Sequence, residues 1–135
     1  DSLIRRIHHV GIAVESLATA LPVFEKLLGK AADAEETVEN QKVRVAVFHL
    51  GESRIELLEA TSPDSPIARS IAKRGQGIHH LTLTIPNLGA ALAELERAGI
   101  RLIDREPRVG AGGERIAFLH PSSTAGVLIE LVEEK

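Results

Sequence analysis

Two short apolar runs, each preceded by a pair of histidines, indicate that the chain contains an internal repeat. Residues 8–14 read HHVGIAV and residues 79–85 read HHLTLTI. When His9 is placed on His80, the apolar positions of the two runs coincide. Both runs are short and rich in β-branched or leucine side chains, a pattern typical of strands. The repeat therefore predicts two modules that each open on a strand with a histidine at its start.

An amphipathic helix is predicted after each opening strand. Ser16 and Asn87 stand where a helix N-cap belongs, and Gly29 and Gly99 stand where a C-cap belongs. Pro22 is unfavourable inside a helix, so we expect a break there, with Pro22 opening the main segment. The apolar positions that repeat with helical spacing are Leu17, Ala20, Leu21, Phe24 and Leu28 in the first copy and Leu88, Ala91, Leu92 and Leu95 in the second.

Three more strands are predicted after each helix. They are residues 31–36, 43–50 and 53–59 in the first copy, and 101–105, 115–120 and 127–132 in the second. The prolines of the segment between the copies mark it as a linker, in which residues 65–73 are predicted to form a short helix. We therefore predict an α+β protein of one domain, residues 1–135. It consists of a βαβββ module over about residues 5–60, a linker over 61–76, and a second βαβββ module over about 77–135.

The composition excludes several classes of function. The chain has no cysteine, which rules out disulfides and thiolate metal sites and agrees with a cytoplasmic location. Its net charge is −3, so we expect no nucleic-acid partner. No apolar run approaches the roughly 20 residues that span a bilayer, and we expect no membrane partner. Tyrosine and tryptophan are absent, which excludes mechanisms that need a tyrosine.

In both modules, strand parity places a histidine and a glutamate on the side of the strand that is opposite the bulky apolar residues. Side chains alternate across a strand, so His9 and His80 lie opposite the bulky apolar residues that would pack under the helices. The residues that share their faces are small or hydroxylated: Gly11, Ala13, Thr82 and Thr84. Such a face leaves space for a ligand. Glu56 and Glu130 likewise stand opposite apolar neighbours in the last strand of each module, and burying them unpaired would cost several kcal/mol.

A divalent cation would supply the partner that both carboxylates need. His9, Glu56, His80 and Glu130 together offer four nitrogen and oxygen ligands related by a pseudo-twofold axis. A sulfur-free set with two carboxylates suits six-coordinate divalent cobalt, manganese, nickel, iron or magnesium, and zinc is a further alternative. Two coordination positions would remain, and a substrate with two oxygens can chelate there.

Several longer stretches resemble a known family. They read HHVGIAVESL, IELLEATSPDSPIA, GQGIHHLTLTI, EPRVGAGGERIAFLHP and GVLIELVE. Over nearly the whole chain they are similar to the vicinal oxygen chelate superfamily of glyoxalases, bleomycin resistance proteins and dioxygenases, and within it to the methylmalonyl-CoA epimerase family. The resemblance implies a curved, barrel-like mixed sheet with the helices outside. It also implies metal ligation by His9, Glu56, His80 and Glu130, with glutamine at the position of Glu56 in some relatives.

The activity implied by this resemblance is the epimerisation of (R)- and (S)-methylmalonyl-CoA by 1,1-proton transfer through a metal-stabilised enolate. The expected cofactor is a divalent ion, with cobalt first and manganese, nickel, magnesium or zinc as alternatives. The expected partners are an acyl-CoA substrate and a second copy of the chain in a homodimer. Glu130 is the first candidate for the catalytic proton carrier, and Glu56 is the pseudosymmetric candidate for the opposite face. The position of a second acid/base proposed for the family holds Val45 here, and the nearest acidic residue before that strand is Glu39.

Rival functions exist within the same architecture. One is a glyoxalase-type lyase or isomerase, and another is a non-catalytic small-molecule-binding protein. An extradiol dioxygenase is disfavoured by the fourth ligand and by the absence of tyrosine.

The other histidines and acidic residues are predicted to have no part in the site. His8 and His79 have the opposite parity and are expected to pack or face solvent. Structural roles are expected for His49 and His120, which lie at strand ends. Glu59 is expected to be structural or exposed, and Glu133 and Glu134 are expected to be solvated.

Overall fold

The computed structural model describes residues 4–110 and 112–134. The strands are β1 (Arg6–Ala13), β2 (Ala34–Val38), β3 (Val43–Leu50), β4 (Ser53–Ala60), β5 (Gly77–Ile85), β6 (Arg108–Val109), β7 (Arg115–Leu119) and β8 (Ile129–Glu133). The helices are α1 (Leu17–Leu28), α2 (Pro66–Arg74) and α3 (Leu88–Arg97). The eight strands found among these residues belong to a mixed sheet, so the predicted α+β class is confirmed. None of the helices within the described ranges is long and apolar enough to cross a bilayer.

The chain divides into two compact units, which we call the first unit (Val10–His79) and the second unit (residues 4–9 with residues 80–134). In the first unit the strand order is β2-β3-β4-β1, and β1 pairs with β4 in parallel. In the second unit the order is β1-β5-β8-β7-β6, and β5 pairs with β8 in parallel. Each opening strand thus pairs in parallel with the last strand of its own repeat.

The apolar faces of both opening strands pack under helices, as strand parity predicts. In the first unit, Ile12 and Val14 join Leu57 beneath the apolar side of α1. In the second unit, Leu83 and Ile85 join the buried residues of α3. The apolar side chains that alternate along the strands therefore pack against those that repeat with helical spacing. These two strand–helix interfaces form the greater part of the core.

The other face of β1 in the first unit is filled with side chains, whereas the sequence predicts open space there. Ala13 was expected to line open space, but it is buried against Val45 and Leu58 and is covered by Ile67 and Ile71 of α2. The linker helix therefore fills part of this face with apolar side chains. Val45 lies inside this cluster, which agrees with a packing role for that residue.

Two predicted element boundaries are wrong. Helix α1 runs through Pro22 without the expected break. Proline removes one backbone hydrogen bond, but the apolar face of α1, including Leu21 and Phe24, is packed against the sheet and keeps the helix continuous. Helix α3 ends at Arg97 with Ala98 as its C-cap, and Gly99 follows with a φ of +89°.

The predicted strand at residues 101–105 is also wrong. Within these residues only Leu102 forms a β-bridge, with Leu119. The strand that pairs antiparallel with β7 on this side is β6, which begins at Arg108. The backbone N–H of Phe118 donates instead to Asp104 Oδ2 at 2.8 Å. A side-chain carboxylate thus takes the place of a strand carbonyl, and Pro107 offers no N–H with which to continue the ladder.

In each repeat, one glutamate carboxylate accepts a backbone N–H at the first residue of the helix. Glu59 Oε1 accepts the N–H of Leu17 at 3.3 Å, and Glu133 Oε2 accepts the N–H of Leu88 at 3.0 Å. These N–H groups have no partner within their own helices, and negative charge is favourable there. Glu59 is structural, as expected. The solvated role predicted for Glu133 is wrong, because both of its carboxylate oxygens have partners. Glu134 pairs with Arg6 at 3.3 Å, and its side chain is 37% exposed, which agrees with the solvated position predicted for it.

Replacing Glu133 with alanine should lower the free energy of unfolding by about 1 kcal/mol, the usual cost of a lost helix cap. Glu133 also pairs with Arg115, whose side chain is half exposed. The matched variant Arg115→Ala removes only that ion pair and should cost less, since exposed pairs contribute little. Urea unfolding of both variants measures the difference. Equal losses would contradict the capping role.

Candidate metal centre

Three of the four predicted ligands meet in the second unit. His9 Nε2 lies 3.0 Å from His80 Nε2, and Glu130 Oε1 lies 4.0 Å from the first and 3.8 Å from the second. The two imidazole rings meet edge to face, with centroids 5.1 Å apart. His9 is 8% exposed and the Glu130 side chain is 14% exposed. Residues separated by more than a hundred positions are thus brought into one buried cluster.

The spacing of these three atoms fits a single cation. A circle drawn through them has a radius of about 2.1 Å, which is the distance that zinc keeps from an imidazole nitrogen or a carboxylate oxygen. The donor set has two nitrogens and one oxygen and no sulfur. This combination suits divalent transition metals. The residues present therefore fit the cofactor that the sequence predicts, and they leave its identity open among the divalent ions.

The strand register explains why Glu130 points at the histidines. Thr82 in β5 is paired with Glu130 in β8, and Thr82 lies two residues after His80 on the same face. Partners in register share a face, so His80, Thr82 and Glu130 must all project to the same side of the sheet. The period-2 argument from the sequence is therefore confirmed for this unit.

Burial raises the pKa of the Glu130 carboxyl. The hydrogen bond from Thr82 lowers this pKa, the negative charge of Glu114 raises it, and the positive charge of Arg108 lowers it. Arg108 lies over the ring of Phe118, which pairs in register with Glu130. The carboxylate is thus held in a place where its charge is costly, and a cation would relieve this cost.

Thr82 is part of the cluster, although strand parity predicts only that it shares a face with His80. Its hydroxyl donates to Glu130 Oε1 at 2.6 Å, and its Oγ1 lies 3.1 Å from His9 Nε2. Thr82 is 1% exposed. A hydroxyl two residues after a predicted ligand, on the same face, was the signal that could have identified it.

His8 packs its ring edge to face against the ring of His9, which is one of the two roles predicted for it. His8 Nδ1 lies 2.8 Å from His9 Nδ1. His120 has the structural role expected of it, since its Nδ1 accepts the N–H of Ser122 at 3.0 Å. His79 is partly buried, and this burial lowers the pKa of its imidazole.

Glu56, the fourth predicted ligand, lies in the first unit. It is paired in register with Gly11, which is two residues after His9. Glu130 is paired with Thr82, which is two residues after His80. Glu56 therefore occupies in its own repeat the register position that Glu130 occupies in the other. Its role as a ligand stays a prediction from this repeat.

A cluster of this kind can bind a cation and hold a carboxylate beside it. A bound divalent ion acts as a Lewis acid on a carbonyl oxygen, and a neighbouring carboxylate can carry a proton. Removal of a proton from the carbon next to a carbonyl group, which forms an enolate, can use both functions.

Comparison with known proteins gives consistent results. The model of the Glyoxalase/Bleomycin resistance protein/Dioxygenase superfamily matches residues 8–118. The mitochondrial methylmalonyl-CoA epimerase of Homo sapiens is 35% identical over 127 residues, covering 93% of this chain and 72% of that protein. An ethylmalonyl-CoA/methylmalonyl-CoA epimerase of Cereibacter sphaeroides is 36% identical, with coverage of 96% and 98%.

A solved structure agrees with these relatives. A variant of the Streptomyces coelicolor methylmalonyl-CoA epimerase, in complex with 2-nitronate-propionyl-CoA, superposes with a TM-score of 0.86. It is 36% identical and covers 97% of this chain and 95% of the other.

Proposed function

The chain belongs to the Glyoxalase/Bleomycin resistance protein/Dioxygenase superfamily and, within it, to the family of the methylmalonyl-CoA epimerases, and from this premise we propose that it interconverts (R)- and (S)-methylmalonyl-CoA. The reaction is a 1,1-proton transfer at the carbon between the thioester and the carboxylate. The observation that carries the proposal is the cluster of His9, His80 and Glu130, whose donor atoms all lie within 4.8 Å of one another.

His9, His80 and Glu130 would hold the divalent cation, with Glu56 as the fourth ligand predicted from the repeat. When bound, the ion supplies Lewis acidity that stabilises negative charge on the enolate oxygens, which is worth several kcal/mol in reactions of this type. Cobalt is the first candidate, followed by manganese, nickel, magnesium and zinc. The substrate's carboxylate and thioester carbonyl are the two oxygens suited to the remaining positions.

Glu130 and Glu56 are the proposed proton carriers. The α-proton leaves one side of the tetrahedral α-carbon to form the planar enolate, and a proton returns to the opposite face, so each face needs its own carrier. Glu130 Oε1 faces the two imidazoles and Thr82, which leaves its second oxygen as the proposed proton acceptor. Glu56 would serve the opposite face, in keeping with its equivalent register position.

The proposed partner is an acyl-CoA. The Cereibacter sphaeroides relative carries a name that covers both ethylmalonyl-CoA and methylmalonyl-CoA, so both 2-alkylmalonyl thioesters belong in the test. The homodimer and the cytoplasmic location stay predictions from the sequence.

The proposal is tested by incubating the cobalt-loaded protein with (S)-methylmalonyl-CoA in deuterium oxide. We expect both epimers to form, with deuterium at the α-carbon, as measured by NMR and mass spectrometry. Propionyl-CoA is the matched control, because it lacks the carboxylate and should show no exchange. A protein that binds cobalt but produces neither the second epimer nor deuterated substrate would exclude this function.

A further inference from the structure

We propose that His8 is a positioning residue that holds the His9 ring in the orientation and tautomer able to bind the metal. This inference rests on the proposed metal site and adds a residue to it. It also accounts for the first of the two histidine pairs with which the sequence repeats begin.

The geometry joins the two rings directly. His8 Nδ1 lies 2.8 Å from His9 Nδ1, within normal hydrogen-bond distance. The ring centroids are 5.1 Å apart and the ring planes meet at 72°. On its other side, His9 presents Nε2 to His80, Thr82 and Glu130. One nitrogen of His9 thus faces the site and the other faces His8.

The chemistry of imidazole assigns the proton. A neutral histidine carries one ring proton, and the nitrogen that binds a metal must offer its lone pair. If His9 binds through Nε2, its proton lies on Nδ1, and that N–H needs an acceptor. His8 Nδ1 supplies the acceptor when the His8 proton lies on Nε2. The His9 N–H then donates to His8 Nδ1, and the tautomer of His9 that would block the metal is disfavoured.

Contacts of this type matter for affinity. Groups that accept the second N–H of a ligating histidine orient its ring and raise its basicity, and their loss typically weakens metal binding about 10–100-fold. The acceptor is usually a carboxylate, a backbone carbonyl or water. Here a second imidazole, supplied by the preceding residue of the strand, has that role.

Two substitutions distinguish the contribution of the hydrogen-bond acceptor on His8 from that of its planar ring. His8→Phe keeps a planar ring and removes the acceptor, whereas His8→Asn places an amide oxygen where Nδ1 stood. We expect His8→Phe to bind Co²⁺ about 10–100-fold more weakly in calorimetry. His8→Asn should bind with nearly the affinity of the wild type. At saturating Co²⁺, the turnover of His8→Phe should recover, because the defect is in affinity rather than in proton transfer.

His120→Phe is the matched control. It removes an imidazole of the same unit whose Nδ1 accepts a backbone N–H. It should leave the Co²⁺ affinity unchanged, and thermal unfolding of each metal-free variant checks that the fold is retained.

The outcomes separate this inference from the proposed function. Wild-type affinity in His8→Phe would overturn the inference and leave the metal site standing. A loss in His8→Asn as large as in His8→Phe would overturn the acceptor role. If the wild type itself binds no Co²⁺, the metal site is wrong and the inference falls with it.

Discussion

Removing the metal should reduce epimerase activity about a thousandfold, and added Co²⁺ should restore it. The expected size follows from the several kcal/mol that a bound cation contributes to stabilising the enolate, at about tenfold for each 1.36 kcal/mol. The measurement is turnover of (S)-methylmalonyl-CoA before and after dialysis against a chelator, with metal content determined on the same samples. Full turnover by protein shown to be free of metal would refute a Lewis-acid role.

His80→Ala tests the same prediction within the chain. It removes one of the two nitrogens that lie 3.0 Å apart and should bring turnover to the metal-free level. His120→Ala is the control, since His120 belongs to the same unit and caps a short helical turn instead. A loss of activity in both variants, with unfolding transitions at lower temperature, would show a general effect on the fold.

Changing Glu130 or Glu56 to glutamine should lower epimerisation about a thousandfold while each variant still exchanges the α-proton of one epimer. Glutamine keeps an oxygen that can bind the metal but cannot take up a proton. The remaining carboxylate can still remove and return a proton on its own face. Because a positioned acid/base contributes typically 10²–10⁴-fold, we expect turnover to fall by about a thousandfold.

The readout is deuterium incorporation into each pure epimer. Glu130→Gln and Glu56→Gln should retain exchange with opposite epimers, and Glu94→Gln on the helix surface should behave as the wild type. If one of the two site variants epimerises at the normal rate, its glutamate is not a proton carrier. If a variant loses metal as well, its ligand role dominates.

Glu130→Gln has a second expected effect, on the stability of the metal-free protein. Burial raises the pKa of Glu130 above its ordinary value of 4.5, so the ionised carboxylate destabilises the folded state. This cost is fully present at a pH above the raised pKa and disappears below about pH 4.5. The variant should therefore be more stable than the wild type at neutral pH, and the two should converge in acid. Urea unfolding over this pH range measures the difference.

Much of the site could be predicted because it repeats. The duplication selected His9, His80, Glu56 and Glu130, and strand parity placed them opposite the apolar core. Three of them are found together in the second unit. No second copy marked the importance of Thr82, since the equivalent position holds Gly11. Parity also gave no sign that the His8 ring contacts His9, because alternation describes where a side chain leaves the strand and not where a long ring ends.

The element boundaries show the same limit. Strands β3 and β7 begin at the predicted residues, because a period-2 pattern is local. The failure at residues 101–105 arose from Asp104, whose carboxylate accepts the N–H of Phe118, fourteen residues away. The capping role of Glu133 likewise depends on Leu88, forty-five residues away. Nothing in the neighbouring sequence reports such partners.

The sequence by itself determined the duplicated architecture, the apolar faces and the identity of the chemical groups, because alternation along a strand and spacing along a helix are properties of adjacent residues. The tertiary structure alone decided that Nε2 of His9 and Nε2 of His80 lie 3.0 Å apart, with Thr82 holding Glu130 beside them. Metal binding depends on separations of a few ångströms between groups far apart in the chain, and only the pairing of strands sets those separations.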